Sequence, residues 1–116
     1  MTERVGYGKG MRVITKGRLQ AYWRQPGRED AEEPLTAWFA EANSAAWRSP
    51  ADIKARYRSA SFVSDNRVVF NIGGNKHRLV VHVNYERGIV LIKFVGSHAE
   101  YDKIDVASVG GGGRSK

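Results

Sequence analysis

Three runs of alternating side chains, separated by tight turns, dominate the second half of this chain and restrict what it can fold into. Arg67-Val-Val-Phe-Asn-Ile72, Lys76-His-Arg-Leu-Val-Val-His-Val-Asn-Tyr85 and Ile89-Val-Leu-Ile-Lys-Phe-Val95 each have the period of two expected of strands. The first two runs are joined by Gly73-Gly74-Asn75, residues that accept positive φ, and the last two by Glu86-Arg87-Gly88. Consecutive strands joined by tight turns form an antiparallel meander. Gly96-Ser97 then breaks the third strand, and residues 98–104 read as one helical turn or a structured loop.

The first half has a helical period instead. Met11-Arg-Val-Ile14 reads as a short strand, and Thr15 is an acceptable N-cap for a first helix. Leu19, Tyr22 and Trp23 share one helical face, and Pro26-Gly27 ends that helix. Acidic residues 29–33 precede Pro34, which suits a helix start. Leu35, Trp38, Phe39 and Ala42 then fall at i, i+3, i+4 and i+7, predicting a second helix to about Ala46. Ser49-Pro50-Ala51-Asp52 is a third start signal. Helices first and strands after predict an α+β fold, with the helices packed on one face of a small antiparallel sheet. Residues 1–10 and 110–116 are Gly-rich and aperiodic, so the chain divides into an N-terminal extension (1–10), one domain (11–109) and a flexible tail (110–116).

Alternation also assigns the faces. Val68, Phe70, Ile72, Leu79, Val81, Val83, Val90, Ile92 and Phe94 are expected to bury against Trp23, Leu35, Trp38 and Phe39. The opposite face gathers Arg67, Asn71, Lys76, Arg78, His82 and Lys93. Such a face is either a solvated sheet surface or a cradle for a phosphate backbone. The net charge of +7 comes partly from the ends, leaving 15 bases against 11 acids in residues 11–109. That excess suits a polyanionic partner.

Several classes drop out. With no cysteine there is no disulfide framework, no thiolate zinc site and no thiol nucleophile. No His, Asp and Glu spacing matches a metal site, so no cofactor is expected. Residues 73–76 lack P-loop spacing, and Ser97 has no nucleophile-elbow context. No apolar run approaches the ~20 residues that span a bilayer, and no secretory signal is visible, so a cytoplasmic location is expected. Of the three histidines, His77 shares the parity of Leu79 and reads as structural or rim-exposed, while His82 is either a ligand contact or a bystander. His98 comes just after the third strand, with Tyr101 one helical turn later. One chemistry needs only these residue types: cleavage of RNA by its own 2′-OH. A histidine moves a proton near neutral pH, an arginine stabilises charge on the phosphoryl oxygens, and a tyrosine donates a hydrogen bond or stacks on a base. Arg78, His98 and Tyr101 match those roles.

Residues 67–104 closely resemble the HigB family of bacterial type II toxins, on Val68-Val-Phe-Asn-Ile-Gly-Gly-Asn-Lys76, Arg78-Leu-Val and Phe94-Val-Gly-Ser-His-Ala-Glu-Tyr-Asp-Lys-Ile104. Pro34-Leu35 leading to Trp38, Trp47 and the Ser-Pro-Ala-Asp start extend the likeness over about residues 11–106. The resemblance implies a RelE-like fold and an mRNA interferase, a metal-independent endoribonuclease that cleaves messages, generally in the ribosomal A site of the 30S subunit, and inhibits translation. It also implies a HigA-type antitoxin with a helix-turn-helix domain. Carried onto this chain, Arg78 stands for the strand arginine that stabilises phosphate, His98 for the base or cation of the loop, and Tyr101 for the tyrosine of the C-terminal segment. Lys76 and Lys93 look like backbone-binding cations, beside Arg67, Asn71 and His82 as further RNA-binding candidates. The alternative is a non-catalytic member of the superfold, an RNA- or ribosome-binding or gyrase-inhibiting protein.

Overall fold

In a computed structural model, which describes residues 10–110, five strands form one sheet in the order β1-β5-β4-β3-β2. The strands are β1 (Arg12–Ile14), β2 (Ser61–Val63), β3 (Arg67–Ile72), β4 (His77–Asn84) and β5 (Ile89–Ser97). β2 to β5 are antiparallel, as the tight turns require, and β1 alone runs parallel to its neighbour β5. The helices are α1 (Gly17–Trp23), α2 (Glu32–Ser44), α3 (Pro50–Arg56) and α4 (His98–Tyr101), with a 3₁₀ turn at Glu29–Ala31. This is the α+β arrangement expected from the sequence. No helix among the described residues is long and apolar enough to cross a membrane. The expected N-terminal extension and tail lie, except for Gly10 and Gly110, outside the described residues.

The meander depends on its turns. Gly73 and Gly74 sit at φ 62° and 72°, where a Cβ is strained, so the β3–β4 connection is tight and fixes the pairing of Ile72 with His77. The strand at 61–63 is not foreshadowed by the sequence pattern, because its three residues are too few to show alternation. It pairs with β3 across Asp65 and Asn66, both at positive φ, which Asn and Asp tolerate best among non-glycine residues. Thr15 does not cap α1 as expected. It sits at φ 67°, its hydroxyl donates to the Ile14 carbonyl and lies 3.2 Å from that of Ile92, and Lys16 takes the cap position without a side-chain bond. α2 stops at Ser44, two residues before the predicted end.

The core forms where the period-two and period-3.6 patterns meet. Leu19, Tyr22, Leu35, Trp38, Ala42 and Ile53 bury against Val68, Phe70, Ile72, Leu79, Val81, Val83, Val90 and Ile92. Phe70 is the hub: the rings of Trp38, Trp47 and Tyr57 lie 5.5, 6.1 and 5.1 Å from it. Trp23 and Phe39 are only half-buried at the margin.

Two expectations about the faces are corrected. The pairing of β4 with β5 shifts between Val80↔Phe94 and Val81↔Ile92, which leaves Lys93 as an extra residue in β5. Because side chains alternate, the shift reverses the phase beyond it. Val95, not Phe94, therefore packs against the core. Nor is the second face an open basic surface. Val69, Val80, Arg67 and Lys93 on or beside it are all buried. The segment after α4 returns over them: Arg67 Nη1 donates to the Val106 and Val109 carbonyls at 2.9 and 2.6 Å, and Gly110 lies against Lys93 so closely that a Cβ there would be 2.5 Å from the Lys93 carbonyl oxygen. Residues 102–110 have no periodicity in the sequence, so nothing in the alternation could reveal this cover.

Candidate functional site

Arg78 and Tyr101 face each other at one corner of the sheet, and His98 opens the helical turn that carries Tyr101. The tight β3–β4 turn starts β4 opposite the end of β5, pairing His77 with Ser97 and Arg78 with Gly96. The chain turns there into α4, whose first backbone N–H, that of His98, donates to the Lys76 carbonyl at 3.0 Å. Ser97 caps the turn: its hydroxyl accepts from the Glu100 N–H at 3.1 Å, and Glu100 accepts in return from the Ser97 N–H at 2.9 Å. This reciprocal pair is a capping box, legible as Ser97-x-x-Glu100 but not singled out from the sequence.

His98 is half exposed, with Nε2 3.8 Å from the Asp102 carboxylate. Arg78 is 8% exposed. Its guanidinium donates to the Asn75 side-chain oxygen at 2.9 Å and to the Asn75 and His77 carbonyls at 3.2 and 3.3 Å. Its other side faces the Tyr101 ring, 5.7 Å from guanidinium carbon to ring centre, within cation–π range. Asn75, read from the sequence only as a turn residue, thus fixes the orientation of the arginine.

A second polar chain holds this corner from the helical side. Arg28, in the connection between α1 and α2, grips Glu100 with two bonds of 2.9 and 2.6 Å and lies 4.7 Å from the centre of the Tyr22 ring. The Tyr22 hydroxyl is 2.7 Å from His77 Nδ1, and His77 Nε2 donates to Asp30, which also pairs with Lys76 at 3.2 Å. His77 is therefore buried and fully engaged, in line with its structural reading. The bonds from Arg28 and from the Ser97 backbone hold the Glu100 carboxyl below its ordinary pKa. Those from Lys76 and His77 do the same for Asp30. Burial raises the Tyr22 hydroxyl.

The sign of the Glu100 effect sets a pH dependence. Its carboxylate is favoured in the folded state, so it adds stability above the unfolded Glu pKa of about 4.3, and this is lost as pH falls through the lower folded value. Both partners are partly exposed, so the contribution after screening is about 1 kcal/mol. In urea titrations at pH 7 and pH 3, Glu100→Gln is expected to be less stable than wild type at pH 7, with a clearly smaller difference at pH 3. An equal difference at both pH values would contradict the ionic clamp.

The five RNA-binding candidates do not form one surface. Lys76 is exposed beside the His98 turn, and Asn71 pairs with Arg78 across the sheet. Arg67 and His82 pair towards the opposite end of β3 and β4, and Lys93 sits at the bulge midway along β5. Arg67 and Lys93 are buried, and burial lowers the pKa of both His82 and Lys93. The structure therefore does not present Arg67 and Lys93 beside His98. Among the described residues no three His, Asp or Glu side chains are grouped as a metal-ligand set.

Residues 31–104 match the sequence model of HigB_toxin, described as the RelE-like toxic component of a toxin-antitoxin system. The chain belongs to the HigB toxin family. The match spans α2 to the end of α4, so it contains the sheet corner, Ser97-x-x-Glu100 and all three chemical candidates. No curated protein matches the chain. A HigB toxin has an antitoxin as its partner, and the helices and five-stranded, mostly antiparallel sheet agree with a RelE-like fold.

Proposed function

We propose that this HigB toxin is a metal-independent endoribonuclease that cuts messenger RNA, with Arg78, His98 and Tyr101 at the scissile phosphate. The observation that carries the reading is their convergence. Arg78 lies on β4 and Tyr101 on α4, yet the guanidinium faces the ring at 5.7 Å, while His98 opens the same helical turn on the Lys76 carbonyl.

The reaction needs a proton taken from the 2′-OH, charge neutralised on the phosphoryl oxygens and a proton given to the leaving 5′-oxygen. The 2′-oxygen bonds to phosphorus, the bond from phosphorus to the 5′-oxygen breaks, and the products are a 2′,3′-cyclic phosphate and a 5′-OH. His98, half exposed on a capped turn, is placed to exchange a proton with substrate. Arg78 is held by Asn75 over the Tyr101 ring, which fixes its guanidinium in place for a phosphoryl oxygen. Tyr101 offers a ring for a base or a hydroxyl for the phosphate, and Lys76 beside them adds a backbone cation. Cleavage of messages in the ribosomal A site, and silencing by a HigA-type helix-turn-helix antitoxin, complete the proposal.

The test is 5′-end mapping of cellular mRNA after induction, with His98→Ala as control. New 5′-OH ends within coding regions, absent from the control, are expected. Intact messages together with a block of DNA supercoiling would transfer the reading to the gyrase-inhibiting alternative. In vitro, cleavage is expected to persist in EDTA and to leave cyclic phosphate ends; a strict need for Mg²⁺ would overturn the mechanism.

A further inference from the structure

At the end of the sheet opposite α4, the β4–β5 turn, the start of β1 and the α2–α3 connection frame an open cleft. Arg12, Arg48 and Arg87 line it, one from each of these three elements, together with Asn43 and Tyr85. All three arginines are exposed, and among the described residues none of their side chains forms a hydrogen bond or ion pair. That sets them apart from Arg18, Arg28, Arg56, Arg67 and Arg78, each engaged by a carboxylate, a carbonyl or an amide. The single acid on the lining is Glu86. Three guanidiniums against one carboxylate leave the cleft with an excess of positive charge, which a ligand carrying several negative charges along its length would neutralise. Arginine forks match phosphate geometry, and the half-buried Tyr85 offers a ring at the same place.

We propose that this cleft holds the sugar-phosphate backbone of an RNA strand at a distance from the cleavage corner. Nine residues of β5 separate the two, about 30 Å at the usual rise per residue. A strand gripped here and cut at His98 would have to be extended or folded RNA rather than a short fragment. The ligand class rests on the ribonuclease reading, and the phosphates are those of the message or of ribosomal RNA.

The test uses the full chain carrying His98→Ala, so that RNA stays intact. Arg48→Gln/Arg87→Gln in that background is compared with Arg24→Gln/Arg58→Gln, which removes the same charge from exposed positions outside the cleft. One arm measures binding of a fluorescent single-stranded RNA by anisotropy across 50–200 mM salt; the other measures co-sedimentation with ribosomes. The cleft variant is expected to bind at least tenfold more weakly in one arm or both. In the free-RNA arm its salt slope should be flatter by about 1.4, the counterion release of two phosphate contacts. A loss confined to free RNA identifies the message, and a loss confined to ribosomes identifies ribosomal RNA. Equal behaviour of the two variants in both arms overturns the proposal. Failure of the ribonuclease reading is separable: the His98-intact protein would then leave RNA uncut while the cleft variant still lost binding.

Discussion

His98→Ala is expected to lower the rate of RNA cleavage by about 10²–10⁴, the usual contribution of a positioned general acid or base. RNA binding should change little, because the imidazole is half exposed and its ion-pair contact among the described residues is with Asp102, at the end of its own turn. Arg78→Ala should cost about 10²–10³ in rate, and it should also loosen the β3–β4 turn, since Asn75 loses the guanidinium it holds. Arg78→Lys separates the two effects. It keeps a cation but loses the fork that bonds Asn75 and its neighbouring carbonyls, so a variant that folds like wild type yet cleaves slowly would assign Arg78 to the reaction itself. The readout is single-turnover cleavage of a labelled RNA, alongside growth after induction. Wild-type rates in His98→Ala would remove this residue from the mechanism.

The largest effect on stability is expected from Phe70→Ala, about 3–5 kcal/mol. Phe70 is 1% exposed and lies against three aromatic rings brought by α2, by the α2–α3 connection and by Tyr57, just after α3. Its removal leaves a cavity that those rigid rings cannot collapse into. Domains of this size are stable by roughly 5–15 kcal/mol, so the loss is a large share of the total. Equilibrium urea unfolding detected by tryptophan fluorescence measures it directly, because Trp38 and Trp47 both border the site. A cost below about 1 kcal/mol would mean that the aromatic cluster is not the centre of the core.

The helices and the meander are legible because each is written in a local pattern. Leu35, Trp38 and Ala42 mark a helix face, Gly73-Gly74-Asn75 marks a hairpin, and alternating strands flank it. Arg78, His98 and Tyr101 emerge from residue type and resemblance, and β4–β5 pairing explains why they converge. The features hidden from a reading of the chain depend on distant partners. Nothing near Arg67 announces that the carbonyls of Val106 and Val109 bury it. The grip of Arg28 on Glu100 joins residues 72 positions apart. The bulge at Lys93 is invisible too, because an extra residue inside an alternating run looks like an ordinary continuation until its partner strand is known.

That bulge governs the geometry of the corner. Beyond Lys93 every side chain of β5 stands on the opposite side from the one simple alternation would give it, and α4 grows directly from the end of this strand. Gly96 has no side chain where Phe94 and Glu100 crowd in, so the strand can carry the reversed phase into Ser97 without a clash. Paired without the bulge, the same strand would set Lys93 opposite Val80 and Phe94 opposite Leu79, and every residue after them would slip by one place. Val95 rather than Gly96 would then stand opposite Arg78, and the His98 turn would start one residue past the beginning of β4. The spare residue in β5 therefore takes up that slip and keeps Gly96, and the turn that follows it, beside Arg78.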